Sequence, residues 1–348
     1  MTATAQRRAA PDAVVRRRPV PVRVTWLLVA VLALALIGAA SVAFGVRAVT
    51  WSDLVSGVSG TSSTVAEAAV QQRVPRTVLA MLVGAALGVA GVVMQGVTRN
   101  PLADPGILGV SSGASLAVVT GMAFFGLTSS TAVVWVAIGG AAGAAVLVYA
   151  IGSLGRGGAT PLKLALAGAA TSAAFSSLIS AVLLPRIDAL TDFRFWQIGG
   201  VGGAGFARIG LVLPFLAVGA VVCVLMARGL NSLALGDDVA AGLGERVGRT
   251  RVLAAAGAIL LCGAATAAAG PIGFVGLAVP HLCRLLVGVD HRWLVPFSAV
   301  AGAGLLTAAD VVGRLVARPD EIDVGIITAL VGAPVFIWIV RRQKVRAL

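Results

Sequence analysis

The sequence is 348 residues long, with 58% hydrophobic side chains, 12% charged side chains and a mean hydropathy of +0.98. This composition excludes a soluble domain and predicts an all-α polytopic membrane protein. The formal net charge of +13 does not indicate a nucleic-acid partner, because the basic residues are distributed according to membrane topology.

Residues 1–23 form a basic segment before the first apolar run. They contain six arginines and three prolines. This composition predicts a disordered basic cytoplasmic arm, held near anionic membrane lipid.

Residues 24–348 are predicted to form one transmembrane domain with about ten spans of roughly 17 to 23 residues. The spans begin near Val24, Thr77, Ile107, Ala132, Leu162, Ile209, Val252, Ile272, Leu294 and Val324. With the N-terminus inside, 19 of the 27 basic residues fall on the inner side, as the positive-inside rule requires. An even number of spans places both termini in the cytoplasm. In the second span, Gly84, Gly88 and Gly91 share one helix face, which favours close helix packing in lipid.

A short polar loop, Arg99–Gly106, separates the second span from the third. The prolines that follow Asn100 and Asp104 move these two residues out of helical geometry, and Gly106 lets the next helix begin. The loop is therefore predicted to keep a fixed shape on the cytoplasmic side, which is typical of a docking surface. Its structural residues are Arg99, Asn100, Pro101, Asp104 and Pro105.

The inner loop between the sixth and seventh spans, residues 229–248, is predicted to contain a short helix. Gly236 can end the preceding helix, Asp237 and Asp238 favour a new helix N-terminus, and Gly242 or Gly244 can stop it. A solvated amphipathic connector is one interpretation of this loop. The other is a partner surface, because four apolar residues are predicted to be exposed there. These are Leu233, Leu235, Val239 and Leu243.

The chain shows no motif that would bind a nucleotide or support catalysis. No lysine follows a glycine, so there is no Walker A motif, and no catalytic triad or paired catalytic carboxylates are apparent. The best mid-span acid is Asp310, for which an i,i+4 ion pair with Arg314 is the simpler interpretation. A proton or ion relay through Asp310 is the alternative, and it would make the protein a secondary transporter.

The three cysteines lie inside predicted spans, without the spacing of a metal site, and are expected to be packing residues. His281 and His291 are expected to pack or to hydrogen-bond at the interface, because no carboxylate cluster accompanies them. We therefore expect no metal site.

Several motifs in order along the chain resemble the permease family of type II ABC importers for iron-siderophores, haem and vitamin B12, called FecCD or BtuC-like. The resemblance covers about Arg73 to Arg342. Its motifs are Arg73–Arg76, Gln95–Gly96, Thr98–Pro105, Gly109 with Ser111–Ala114, Leu235–Asp237, Ala269–Leu277, Val279–His281, Gly325–Thr328 and Gly332–Pro334.

The resemblance implies a BtuC-like fold of ten helices with an inverted repeat, relating spans two to five to spans seven to ten. It implies a dimer with an identical or homologous permease, two ATPase subunits inside and a substrate-binding protein outside. The permease would then be non-enzymatic and without a cofactor, since the partner ATPases use the ATP and Mg. The expected cargo is a ferric siderophore, with haem and cobalamin left open.

The resemblance also implies roles for particular residues. Those that would seat in the ATPase are Leu235, Gly236, Asp237, Asp238, Val239, Ala240, Leu243 and Gly244. Arg73, Arg76 and Arg314 would receive carboxylates of the binding protein on the outer face, whereas snorkelling to lipid phosphate is the alternative.

The pathway would be lined by the fifth and tenth spans and by a gate segment at about residues 188–205. In this segment Phe195, Trp196 and Gln197 could cover a passing ligand beside glycine hinges, or could form an interfacial belt. In the fifth span, Ser172 and Ser176 could line the tunnel or could serve tight helix packing.

Overall fold

The computed structural model of the chain describes residues 19–60, 63–154 and 160–342. This part of the chain contains α-helices and one short 3-10 turn, Pro105–Leu108, and no strand, which confirms the all-α prediction. In chain order the helices are α1 Val20–Ala43, α2 Trp51–Val58, α3 Val65–Thr98, α4 Val110–Phe125, α5 Ser130–Ser153, α6 Pro161–Leu183, α7 Ile187–Ile198, α8 Phe206–Leu233, α9 Asp237–Gly242, α10 Val247–Ala269, α11 Val275–Val287, α12 His291–Val316 and α13 Val324–Arg342.

Seven of these helices are long and apolar enough to cross a membrane: α1, α3, α5, α6, α8, α10 and α12. Three shorter apolar helices, α4, α11 and α13, occupy the positions of the remaining predicted spans. The count of ten spans therefore stays a prediction. Short helices α2, α7 and α9 connect the longer ones, and α2 was not anticipated from the sequence.

The predicted boundary of the basic arm at residue 23 is wrong. Residues 1–18 lie outside the described residues, but α1 begins at Val20 with a proline in its first turn, a position that proline favours. Arg23 is only 7% exposed, and its guanidinium lies 3.7 Å from the Asp290 carboxylate. The hydropathy pattern places the start of the first apolar span near Val24, whereas the helix begins one turn earlier, at Val20.

Helix α3 is the centre of the bundle and packs against α8, α10, α11 and α12. Its predicted glycine face makes the closest of these contacts. A Cβ atom at Gly84 would collide with the carbonyl of Gly302 in α12, and one at Gly91 would collide with the carbonyl of Gly276 in α11. Because neither position has room for a side chain, glycine is what allows these helix backbones to meet.

Candidate functional site

The loop between α8 and α10 forms a short helical projection at one end of the bundle. Helix α8 continues to Leu233 and α10 begins at Val247, so the irregular part is shorter than the predicted 229–248. Helix α9 fills its centre, as predicted. Gly236 precedes α9 with a φ of +113°, which L side chains rarely adopt, so the direction of α9 depends on a glycine there.

Three of the four apolar residues predicted to be exposed on this projection are exposed. Leu235 is 61%, Val239 51% and Leu243 66% exposed. The expectation for Leu233 is wrong, because it is the last residue of α8 and is fully buried, as is Ala240 on the inner face of α9. The exposed set therefore forms an apolar surface that has no partner within the described chain.

Asp237 anchors this projection to two other elements. Its carboxylate accepts a hydrogen bond from the guanidinium of Arg99, at the end of α3, and a second one from Arg251 Nη2 in α10 at 3.1 Å. Asp238, the next residue, is exposed. The predicted ATPase-coupling residues and the predicted 99–106 loop are therefore one connected site.

The 99–106 loop is held by its own side chains. Asn100 Oδ1 accepts from the Leu102 amide at 2.9 Å, and Asp104 Oδ1 accepts from the Gly106 amide at 2.8 Å. Pro101 is exposed, whereas Pro105 is buried. Burial raises the pKa of the Asp104 carboxyl, against the effect of the Gly106 amide. The predicted fixed shape is present, but only part of the loop is available to another molecule.

At the opposite end of the bundle, the arginines predicted to dock a binding protein lie mostly inside the chain. Arg73 is 6% and Arg314 is 2% exposed. Arg73 donates to the carbonyls of Val42 and Ala43, and Arg314 donates to those of Ser41 and Phe44. The last carbonyls of a helix have no partner within it, and these guanidinium groups satisfy the end of α1.

Arg76 differs from these two arginines because its side chain is partly exposed. It donates to Asp310 Oδ1 at 2.8 Å and to Glu321 Oε2 at 2.6 Å. Arg314 Nη2 lies 3.0 Å from Asp310 Oδ2, which confirms the predicted i,i+4 ion pair. Asp310 is fully buried, so two arginines share one carboxylate away from water.

The predicted pathway residues lie on α6 and α7. Ser172 Oγ is 3.1 Å from Ser112 Oγ of α4, so it serves helix packing, whereas Ser176 is exposed. Gln197 is exposed, and the half-buried Trp196 packs on Phe193 with ring centroids 5.9 Å apart. Phe195 belongs to α7, but its side chain lies outside the described residues.

The end of α7 is tied to two other elements by backbone hydrogen bonds that sequence reasoning missed. The Gly200 amide donates to the Ala269 carbonyl of α10 at 2.8 Å, and the Gly325 amide of α13 donates to the Gly199 carbonyl at 3.0 Å. Gly199 and Gly200 therefore join three elements, whereas Gly202 and Gly203 have open space around them. Of these four glycines beside the predicted gate, only Gly202 and Gly203 have no atom within 4 Å of a Cβ position.

Comparison with known proteins agrees with this arrangement. The chain is 43% identical over 319 residues to the ferric enterobactin transport system permease protein FepD of Escherichia coli, covering 91% of this chain and 94% of FepD. It is 46% identical over 273 residues to the iron(3+)-hydroxamate import system permease protein FhuB of Bacillus subtilis, covering 78% and 71%.

A solved structure has the same fold. It is described as an inward-facing conformation of a metal-chelate type ABC transporter, and it superposes with a TM-score of 0.80 at 29% identity, covering 92% of this chain and all of that one. The profile of the FecCD transport family matches residues 31–342. This chain belongs to the FecCD transport family.

Proposed function

We propose that the chain is the membrane permease subunit of an ABC importer for ferric siderophores. The observation that carries this proposal is the apolar surface of Leu235, Val239 and Leu243, on and beside the short helix α9, whose Asp237 is fixed by two arginines. A rigid exposed apolar helix is suited to enter a groove of a partner protein. The siderophore cargo is supported by the ferric enterobactin and iron(3+)-hydroxamate systems of the relatives.

The partner at this surface is an ATPase subunit, with two such subunits in the assembly. ATP and Mg are used there, and the chain described here is not an enzyme. The protein lies in the cell membrane with both termini in the cytoplasm, so that α9 faces the ATPase. A binding protein delivers the chelated iron from the other side.

A second permease copy, identical or homologous, completes the pathway. Helix α13 carries the exposed apolar residues Ile326, Leu330 and Ile337, next to the exposed Ile198 of α7. Helix α6 exposes small residues, including Ser176. The apolar surface of α13 and α7 suits close packing against a helix of the second permease copy. The small residues of α6 suit the wall of a smooth pathway. Ser176, Trp196 and Gln197 are the pathway residues in this proposal.

Docking of the binding protein centres on Arg76, since Arg73 and Arg314 are occupied by carbonyls of α1. The exposed Glu321 forms an ion pair with one nitrogen of Arg76. A carboxylate of the binding protein can replace Glu321 in this ion pair. Arg73 and Arg314 then act as supports that hold α1 and α12 in place.

Uptake measurements test the function. A deletion strain with and without this chain is supplied with labelled ferric enterobactin, a ferric hydroxamate, haem or cobalamin. We expect restored uptake of a ferric siderophore and none of the other two cargoes. Restored uptake of haem or cobalamin would change the assigned cargo. Uptake without any ATPase would contradict the assignment to an ABC importer.

A further inference from the structure

A basic cavity opens at the same end of the bundle as α9. Its volume is about 590 Å³, and it lies between the ends of α1, α3, α8, α11 and α12. Its charged lining residues are Arg23, Arg99, Arg284, Arg292 and Asp290. Four cationic side chains thus face one carboxylate, and the cavity favours an anion.

Arg99 is paired with Asp237 outside this group, which leaves Arg284 as the cation without a carboxylate partner. Its Nη2 donates to the neutral amide oxygen of Gln95. Asp290 is engaged elsewhere, because it lies 2.9 Å from Arg292 and 3.7 Å from Arg23. In the described ranges of the chain, no carboxylate forms an ion pair with Arg284.

Three buried nitrogen atoms of the lining residues have no hydrogen-bond partner in the described part of the chain. They are Arg23 Nε, Arg284 Nη1 and His291 Nε2. Buried polar atoms without a partner are uncommon and destabilising, so three around one cavity indicate a missing ligand. The two arginine nitrogens are donors that suit an oxyanion.

His291 Nε2 differs in its role. The Asn231 amide donates to Asp290 Oδ1 at 2.7 Å, which points its oxygen at His291 Nδ1, 2.9 Å away. Nδ1 therefore carries the hydrogen of the neutral ring, and Nε2 is an acceptor. A Cβ atom at Gly96 would lie 2.7 Å from Nε2, so a side chain at this position would crowd the nitrogen. The ligand thus needs a hydrogen-bond donor, such as a hydroxyl group, beside its anionic group.

Two apolar grooves meet the cavity at α12. One runs between α1 and α12, past Leu27, Trp293 and Pro296, and shares Arg23, Asp290 and Arg292 with the cavity. The other runs between α8 and α12, past Val224, Leu225 and Val295, and shares His291 and Arg292 with it. Helices α1, α8 and α12 are all long and apolar enough to cross a membrane, so both grooves lie between candidate spans.

We propose that this cavity binds the headgroup of an anionic phospholipid of the phosphatidylglycerol class. The phosphate oxygens accept hydrogen bonds from Arg23 and Arg284, a headgroup hydroxyl donates to His291 Nε2, and the acyl chains lie in the two grooves. Basic pockets between spans are suited to such headgroups. The proposal rests on no part of the transport function, so either can fail without the other.

The test is lipid binding by the purified, delipidated full chain, followed by native mass spectrometry and by thermal melting. The probes are phosphatidylglycerol, zwitterionic phosphatidylethanolamine and inorganic phosphate. We expect phosphatidylglycerol to bind about tenfold more tightly than phosphatidylethanolamine, and Arg284→Gln to weaken it about tenfold. Arg249→Gln is the matched control, because Arg249 is exposed near the same end and outside the cavity lining.

If Arg284→Gln does not fold, Arg23→Gln and Gly96→Ala replace it as tests of the cavity. Both substitutions are expected to weaken phosphatidylglycerol binding. Equal affinity for the two lipids, or an equal loss in Arg249→Gln, would overturn the proposal. Stabilisation by inorganic phosphate equal to that by phosphatidylglycerol would overturn the role of the grooves. If phosphatidylglycerol stays bound when the ATPase joins the complex, the result supports the proposal. If the ATPase displaces the lipid, the cavity is an ATPase contact instead.

Discussion

Arg76 and Asp310, separated by 234 positions in the sequence, form an ion pair in which Arg76 Nη2 donates to the buried Asp310 Oδ1 at 2.8 Å. Arg314 uses the second oxygen of the same carboxylate at 3.0 Å. The pair connects α3 to α12 at the end of the bundle where Arg73 and Arg314 satisfy α1. Asp310 is therefore a structural anion between two cations, which opposes the proton-relay interpretation.

Asp310→Asn is expected to lower the free energy of unfolding by about 3–5 kcal/mol, because it leaves the buried Arg314 guanidinium without a countercharge and Arg76 with Glu321 alone. Thermal melting in detergent measures this loss. Glu321→Gln is the control, since Glu321 is exposed and its removal should change stability by about 0–1 kcal/mol. An Asp310→Asn protein that melts like the wild type but no longer transports would favour an ion relay.

Leu243→Glu is expected to leave the protein inserted in the membrane and to abolish substrate-stimulated ATP hydrolysis. The substitution places a charge within the exposed apolar surface that we assign to the ATPase contact. ATPase activity of the complex in proteoliposomes measures the effect. Leu154→Glu, at an exposed leucine after α5, is the control, and an equal loss there would contradict a specific role for α9.

Gly236→Pro is expected to have the same consequence for a different reason. Proline fixes φ near −65°, whereas Gly236 has a φ of +113°, so α9 would be redirected. Gly242→Ala is the control, because a Cβ atom at Gly242 has open space and its φ is not in the left-handed region. Substrate-stimulated ATP hydrolysis in proteoliposomes should fall only in Gly236→Pro. Normal coupling in that variant would show that the orientation of α9 is unimportant.

Gly91→Ala is expected to destabilise the bundle by about 1–3 kcal/mol or more, since its Cβ atom would overlap the Gly276 carbonyl and force α3 away from α11. Yield of folded protein and melting temperature measure this effect. Gly139→Ala in α5 adds the same methyl group where a Cβ atom meets open space, and it should be neutral. Equal melting temperatures would contradict the close crossing of α3 and α11.

Asp290 is expected to make stability depend on pH in the acid range. Burial disfavours its carboxylate, but hydrogen bonds from Arg292 and Asn231 outweigh burial and lower its pKa to about 2. Its contribution is therefore present above the ordinary value of 3.8 and is lost as pH falls towards about 2. Asp290→Asn should flatten the pH dependence of the melting temperature in this window. Parallel curves for wild type and Asp290→Asn would contradict this assignment.

The class of the protein and most of its helices were predictable from the sequence. Hydropathy depends on composition over a window of about 20 residues, so it located the apolar helices without knowledge of their neighbours. Local chemistry also sufficed for α9 after Gly236 and for the Asp310–Arg314 pair, because four residues make one helical turn. The glycine face of α3 was visible in the same way.

Contacts between distant parts of the chain were not predictable. The burial of Arg73 and Arg314 follows from the placement of the end of α1, whose carbonyls accept the hydrogen bonds that the sequence assigns to a binding protein. The bond between Arg99 and Asp237, and that between Arg76 and Asp310, likewise require α3 to meet elements more than 130 positions away. The sequence shows the charge and the length of an arginine side chain. Helix packing determines which group that side chain contacts, and no local sequence pattern indicates how the helices pack.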